Sequence, residues 1–314
     1  MFLSQICGLW VNRFERPFRK LKLCDKSWVE AACKADGSIN CYVNFVMMYL
    51  TQAEYESDSF REYCGCVIKR PWSEDDKLYI QYPIGAPKNR QKALKKILRY
   101  YSGPYKQIIF YAATEEHLKE IKELYADSII EVRQDRDNQD YIVDVKAQIS
   151  LEGPEYRNKR KKVIRFNRKY NCTYEPVSAE NMEECRSVNQ SWFTAQERGH
   201  EAAQEQKSML LAFDEFEELN LQGELCRIDG RPVSIYIGTP LNQSVYLCLF
   251  MKADTSYTDI SLAAENAFLE RHCSNFTYVN EGVDMGLPGL RTFKQNMHPV
   301  MMTSFYYITL DVSK

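Results

Sequence analysis

The stretch from Glu224 to Asn280 leaves this chain little choice of topology. Three strand-like runs, 224–228, 232–238 and 244–250, follow one another. The first two are joined by Asp229-Gly230, a pair that favours a tight hairpin because Gly tolerates positive φ. A helix is expected over 260–273, with an apolar stripe at Leu262, Ala263, Ala267 and Phe268, and a strand over 276–280. An antiparallel meander followed by a helix and one more strand suits an α/β layer fold, in which the helix crosses over the sheet. A short helix over 288–296 and a final strand over 300–310 complete the pattern.

The segments before the meander extend it. Ser178 is placed to cap a helix over 179–195, and a second, acidic helix spans 204–219. The first half carries a shortened version of the same order. Helices over 25–34 and 40–50 precede strands over 63–69 and 77–82, which are joined by the polar turn Ser73-Glu74-Asp75-Asp76. Tyr82-Pro83-Ile84-Gly85 ends the second of these strands, because Pro cannot donate to a ladder. A basic amphipathic helix over 88–101, a strand over 107–111, a helix over 115–125 and a strand over 128–132 follow. The polar run 133–139 reads as a linker. Beyond it lie a strand over 141–145 and a basic helix over 155–170, opened by Gly153-Pro154. The reading is an α/β chain with mixed sheets, built as two related tandem domains, 1–139 and 140–314.

Composition removes some functions. With 45% hydrophobic residues the chain has ample material for a core. A net charge of −2 excludes a protein basic throughout, but a sum hides its distribution. Eleven cysteines, an odd number at scattered spacings, do not make a disulfide framework. Cys64-Gly65-Cys66 has no second pair at zinc spacing and reads as half-buried strand thiols, so no metal site is expected. The start lacks the charged segment of a signal peptide. No apolar run approaches the length of a membrane span, so a cytoplasmic protein without a transmembrane segment is expected.

Two features carry chemistry. Between Arg157 and Lys169 there are eight cations and no acid. Like charges this dense repel unless an anion lies nearby. One reading is a solvated helix face balanced by residues 180–224, which hold eleven acids against three bases. The other is a surface for a phosphate-rich partner such as tRNA, an acyl-CoA or an anionic lipid head group. Tyr156, Phe166 and Tyr170 among the cations suit either base stacking or a buried face. The second feature is Asn280-Glu281-Gly282-Val283-Asp284-Met285-Gly286, continued by Gly289, Arg291 and Lys294. It starts at the carboxyl end of an expected strand, where open α/β sheets gather ligands. It also reads as a glycine-rich turn with capping acids and a surface ion pair. His298 before Pro299 is a candidate base or simply a hydrogen-bonded residue. Nucleotide-binding P-loop and dinucleotide motifs are absent, as is a serine-hydrolase signature.

At these features the chain resembles bacterial proteins related to the C-terminal catalytic domain of phosphatidylglycerol lysyltransferase. The resemblance rests on Tyr82–Gly85, on Gly153, Tyr156, Lys159, Arg160, Arg165 and Phe166, on Arg198-Gly199, on the Asp229-Gly230 hairpin, and on Asn280, Glu281, Asp284, Gly286, Gly289, Leu290, Arg291, Lys294 and Pro299. It implies two tandem acetyltransferase-like (GNAT-like) domains, with the active site in the second. It also implies kinship with Fem-type aminoacyltransferases. The implied activity moves an acyl or aminoacyl group from an anionic donor, aminoacyl-tRNA or acyl-CoA, to an amine or hydroxyl. The alternative is a GNAT-like module that binds RNA or an anionic metabolite without turnover. On the transferase reading Glu281, Asp284 and Lys294 are catalytic. Lys159, Arg160, Arg165 and Arg291 bind donor phosphates, and Tyr156, Arg198 and Asn280 touch substrate. One departure stands out. Acetyltransferases carry an arginine- and glycine-rich turn for the CoA pyrophosphate after the third strand of the meander. Here residues 252–259 contain no Gly and end in Asp259.

Overall fold

The computed structural model describes residues 17–55, 57–195 and 200–313. Two compact units emerge, and neither is continuous in sequence. The first gathers residues 17–38, 57–134 and 306–313; the second gathers 39–55 and 135–305 over its described residues.

In the first unit, α1 (Lys26–Asp36) ends on Gly37, whose φ of 78° supplies the left-handed cap. Strands β1 (Phe60–Tyr63) and β2 (Cys66–Lys69) form a separate hairpin. Cys64-Gly65 is its turn, with φ of 56° and 73°, so this pair is not strand as expected from sequence. The main sheet has the order β3-β4-β5-β14-β6, from β3 (Trp72–Glu74), β4 (Lys77–Gln81), β5 (Gln107–Ala113), β6 (Ile129–Gln134) and β14 (Tyr306–Asp311). The hairpin expected between 63–69 and 77–82 does not form: β4 pairs with β3 across the turn Asp75-Asp76, while β2 pairs with β1. β4 and β5 run parallel, joined by α3 (Pro87–Tyr101) with Pro at its first position. Helix α4 (Glu115–Tyr125) starts on a Thr114 cap. The core is apolar: Ile80, Leu94, Ile108, Phe110, Ile121, Ile308 and Leu310 are all fully or nearly fully buried. One cation is sealed beside it. Arg90, fully buried, binds Glu120 at 2.8 Å, Asp36 at 3.3 Å and the more exposed Glu116 at 2.9 Å.

The second unit takes α2 (Phe45–Glu54), capped by Asn44 rather than starting at residue 40. Its sheet has seven strands in the order β13-β7-β12-β11-β10-β9-β8. These are β7 (Tyr141–Asp144), β8 (Cys172–Pro176), β9 (Gln222–Ile228), β10 (Arg231–Pro240), β11 (Val245–Ala253), β12 (Tyr278–Asn280) and β13 (Met301–Met302). The β9–β10–β11 meander forms as expected, with Asp229 and Gly230 at φ of 51° and 82°. Helix α9 (Ile260–Phe268), extended by a π turn over Leu269–Cys273, crosses over to β12, which lies parallel to β11.

Further elements of this unit differ from the sequence reading. Helix α5 (Val145–Ser150) and strand β8 had no counterpart in it. Helix α7 (Met182–Thr194) starts after Asn181, whose Oδ1 accepts from the Ser178 N–H at 2.9 Å, so Ser178 is not its cap. The single final strand is two: β13 ends the seven-stranded sheet, while β14 inserts between β5 and β6 of the other. Helices α6 (Arg157–Lys169), α8 (His200–Asp214) and α10 (Pro288–Gln295) complete the unit.

Candidate functional site

Strand β12 is short, and it pairs with β11 only across Val245–Leu247. From Cys248 onward β11 runs on without it. The chain leaving β12 turns sharply through Gly282, Met285 and Gly286, all at positive φ. Glycine suits position 286 because its φ is 72°, in the left-handed region that side chains rarely adopt.

Glu281, the first residue beyond β12, is nearly buried and faces the Tyr236 hydroxyl at 3.3 and 3.4 Å. Tyr236 is fixed by stacking on Phe268, with ring centroids 4.1 Å apart. Burial raises the Glu281 carboxyl to about 7. The neighbouring Glu265 carboxylate adds to the rise, and the ammoniums of Lys294 and Lys159 oppose it. Lys294 comes from α10. Its Nζ donates to the main-chain carbonyls of Glu281 and Val283, each at 2.6 Å. Burial lowers the basicity of Lys294, although Glu281 favours its charge. Behind them Lys159 Nζ donates to Gln148 Oε1 at 2.7 Å and to Glu265 Oε2 at 3.1 Å. Cys248, half-buried, adjoins Tyr236 and Glu281, and burial pushes its thiol up. The arrangement holds a carboxyl that changes charge near neutrality beside two lysines, where two strands part. Such a group can take a proton from an attacking amine.

The other expected site residues lie elsewhere or are already engaged. Asp284 is fully buried and saturated: it accepts from Tyr141 at 2.5 Å, Gly286 N at 2.9 Å, Arg136 at 3.2 Å and Arg291 at 2.7 and 2.9 Å. The Arg291 fork holds its carboxyl well below the usual range, so Asp284 is a holder of the turn and not a base. Arg291 is shared between Asp284 and Asp137 and is not a free phosphate ligand. Asn280 spends its amide on the Ile39 carbonyl and its Oδ1 on Gly282 N. Tyr156 is buried edge-on against His298, with ring centroids 5.1 Å apart, which assigns His298 a packing role. Lys159 points into the protein rather than toward a phosphate. Arg160 binds the carbonyls of Leu151 and Gly153, which brace the turn before α6. Arg165 pairs with Asp259. Arg198 lies outside the described residues.

The basic helix α6 divides by face. Lys159, Val163 and Phe166 point inward. Arg157, Lys161, Arg168 and Lys169 are exposed and form no ion pair among the described residues, and a shallow depression runs between Lys161, Ile164, Arg165, Arg168 and Lys169. The acidic helix α8 therefore does not neutralise this face. Its Glu205 binds Lys252 at 2.8 Å instead. At the start of α9, Asp259 adopts φ of 70° and faces Lys162 and Arg165.

Sequence reasoning missed Glu265, Gln148, Tyr236 and Cys248. Glu265 left a trace: it is the one acid in the apolar run of α9.

Each unit is a mixed sheet with one parallel pair bridged by a helix, an α/β plan that recurs in tandem. The chain belongs to the family described as phosphatidylglycerol lysyltransferase, C-terminal, which it matches over residues 44–309. Three solved structures share the fold. A conserved protein of unknown function from Bacteroides thetaiotaomicron is 23% identical, over 94% of this chain and 99% of that one, with a TM-score of 0.83. L-PGS from Bacillus licheniformis is 15% identical, over 90% and 91%, with a TM-score of 0.59. FemX is 10% identical, over 93% and 97%, with a TM-score of 0.55. The search of curated proteins finds no match. No helix among the described residues is long and apolar enough to cross a membrane.

Proposed function

We propose that this protein transfers an aminoacyl group from aminoacyl-tRNA to an amine or hydroxyl acceptor in the cytoplasm, with Glu281 as the general base. The observation that carries the reading is the Glu281 carboxyl, buried just past the end of β12, facing the Tyr236 hydroxyl with its main chain held by Lys294, and raised to about 7. The donor ester is already activated, so the protein needs chiefly to position and to manage a proton. The acceptor nitrogen or oxygen attacks the ester carbonyl, and its proton passes through Glu281 to the departing ribose oxygen as the ester C–O bond breaks. The Lys294 ammonium favours the negative charge that develops on the carbonyl oxygen. The free cations of α6 supply contacts for tRNA phosphates. Asp259 supports this donor over an acyl-CoA, because its carboxylate already neutralises Lys162 and Arg165 at the start of α9.

The test is transfer of radiolabelled amino acid from bulk charged tRNA to a panel of amines and alcohols. Label should move with wild type and not with Glu281→Gln or Lys294→Ala. Equal transfer by these variants would remove both residues from the mechanism. Saturation of Asp284, Arg291 and Asn280 by the protein's own groups favours a second reading, a module that holds RNA. Salt-dependent RNA binding with no turnover against any acceptor would select it.

A further inference from the structure

Behind Glu281 every polar group of the inner cluster is matched except one. Lys159 Nζ is shared by Gln148 and Glu265. Gln148 Nε2 donates to the Met297 carbonyl. Glu265 is fully buried; its Oε2 receives Lys159 at 3.1 Å, and its Oε1 has no hydrogen-bond partner. A buried carboxylate oxygen without a donor is costly, and native proteins leave few of them. This one lies on α9 one turn before Phe268, the residue that stacks on Tyr236 and so sets the position of the Glu281 hydrogen bond. Cys248 and Leu249, on β11 beyond the stretch that β12 pairs, are half-buried, and Cys248 adjoins Glu281 and Glu265.

We infer that Glu265 Oε1 receives the α-ammonium of the aminoacyl donor, and that Glu265 makes the protein selective for donors whose α-amine is free. An ammonium is the ligand this oxygen lacks. It brings hydrogen-bond donors and a positive charge to a place where the Glu265 carboxylate raises the cost of ionising Glu281. Lys159 serves Gln148 and the other Glu265 oxygen, Oε2, and Lys294 serves two carbonyls, so neither lysine bonds Oε1. An α-ammonium seated on Glu265 also fixes the ester carbonyl one carbon away, within reach of an acceptor activated by Glu281. A neutral N-acylated amine has one N–H, no charge and added bulk. Glu265 is thus a specificity residue distinct from the base. The inference rests on the aminoacyl-transfer reading above.

The test compares bulk charged tRNA with the same tRNA after N-acetylation of its amino acids, by competition filter binding and by transfer. Wild type should favour the free-amine form at least tenfold in both. Glu265→Gln keeps an oxygen for Lys159 and places an amide N–H₂ where the ammonium would lie. It should bind both forms alike, with the donor KM raised and the acceptor KM unchanged. Wild-type transfer of both forms at equal rates would overturn the inference and leave the transferase reading standing. A rise only in the acceptor KM of Glu265→Gln would overturn the donor assignment and give the site to an acceptor amine. Failure of wild type to bind either form would overturn it outright. The wild-type comparison needs no variant, so misfolding of Glu265→Gln leaves the test intact.

Discussion

Lys294 and Glu281 meet without an ion pair. The lysine ammonium is held at 2.6 Å by the main-chain carbonyl of Glu281, and the Glu281 carboxyl turns instead to the Tyr236 hydroxyl. Lys294 thus fixes the backbone that carries Glu281 without engaging its carboxyl. A direct salt bridge would have anchored the carboxylate charge and drawn it toward the ordinary acidic range.

Transfer should follow the ionisation of Glu281. The carboxyl must be unprotonated to accept a proton, so activity should rise through about pH 7 and fall about tenfold per unit below it. Glu281→Gln should lose roughly 100-fold or more in kcat at pH 8. Stability moves the other way. The folded carboxyl keeps its proton up to about 7, whereas an unfolded glutamate releases it near about 4.3, so Glu281 withdraws stability as pH rises between those values. Urea titrations of wild type and Glu281→Gln from pH 4 to 8 should show that slope in wild type alone.

Lys294→Met should lower kcat strongly while leaving the donor KM within about threefold. It also frees the Glu281 and Val283 carbonyls, so thermal unfolding should fall by several degrees, roughly the effect of about 1–3 kcal/mol. A variant with normal kcat would dissociate the turn from the chemistry.

Asp284→Asn should cost stability before activity. Removing the carboxylate leaves the Arg136 and Arg291 forks facing a neutral buried amide, a loss of about 3 kcal/mol at pH 7. Its folded carboxyl ionises well below the unfolded one, so the contribution is complete above about pH 4 and fades as acid approaches the folded value. Wild type and variant should converge in denaturation midpoint toward pH 2.

The free face of α6 should govern RNA affinity through charge alone. Lys161→Glu combined with Arg168→Glu should weaken tRNA binding at least tenfold. The double variant should also reduce the slope of log K against log salt by about 1.5, the share of two phosphate contacts. Circular dichroism should stay unchanged, because both side chains are exposed. An unaltered salt slope would take tRNA off this face.

In the first unit, Arg90→Met should destabilise by about 3–5 kcal/mol, since Glu120 would be left buried without its cation and Asp36 would keep only the Gly85 N–H and His117. Equilibrium unfolding by guanidinium measures it. A loss below about 1 kcal/mol would show that water reaches the two acids.

Much of the fold was legible because it is local. The Asp229-Gly230 turn needs only its own backbone preferences, and the stripe of α9 needs only a helical period. Glu281 could be singled out because glycines and charges cluster around it at a strand end. The short α5 and β8 escaped because six and five residues give too little period to read. Lys159 and Arg165 were grouped with their basic neighbours because composition does not say which way a helix faces. One points at Glu265, the other at Asp259, residues about one hundred positions away.

The sequence by itself determined the α/β class, the repeated order of elements, and the glycine-rich charged turn that follows β12, since periodicity, turn residues and charge runs are short-range properties. Only the tertiary structure decided which strands share a sheet and which charges are spent. Residues 300–310, continuous in sequence, split between two sheets because strand pairing is decided by partners far along the chain. Asp284 and Glu281, three positions apart, part in character for the same reason. The Arg291 fork reaches one and holds it ionised, while burial beside Glu265 keeps the other ready to exchange a proton near neutrality.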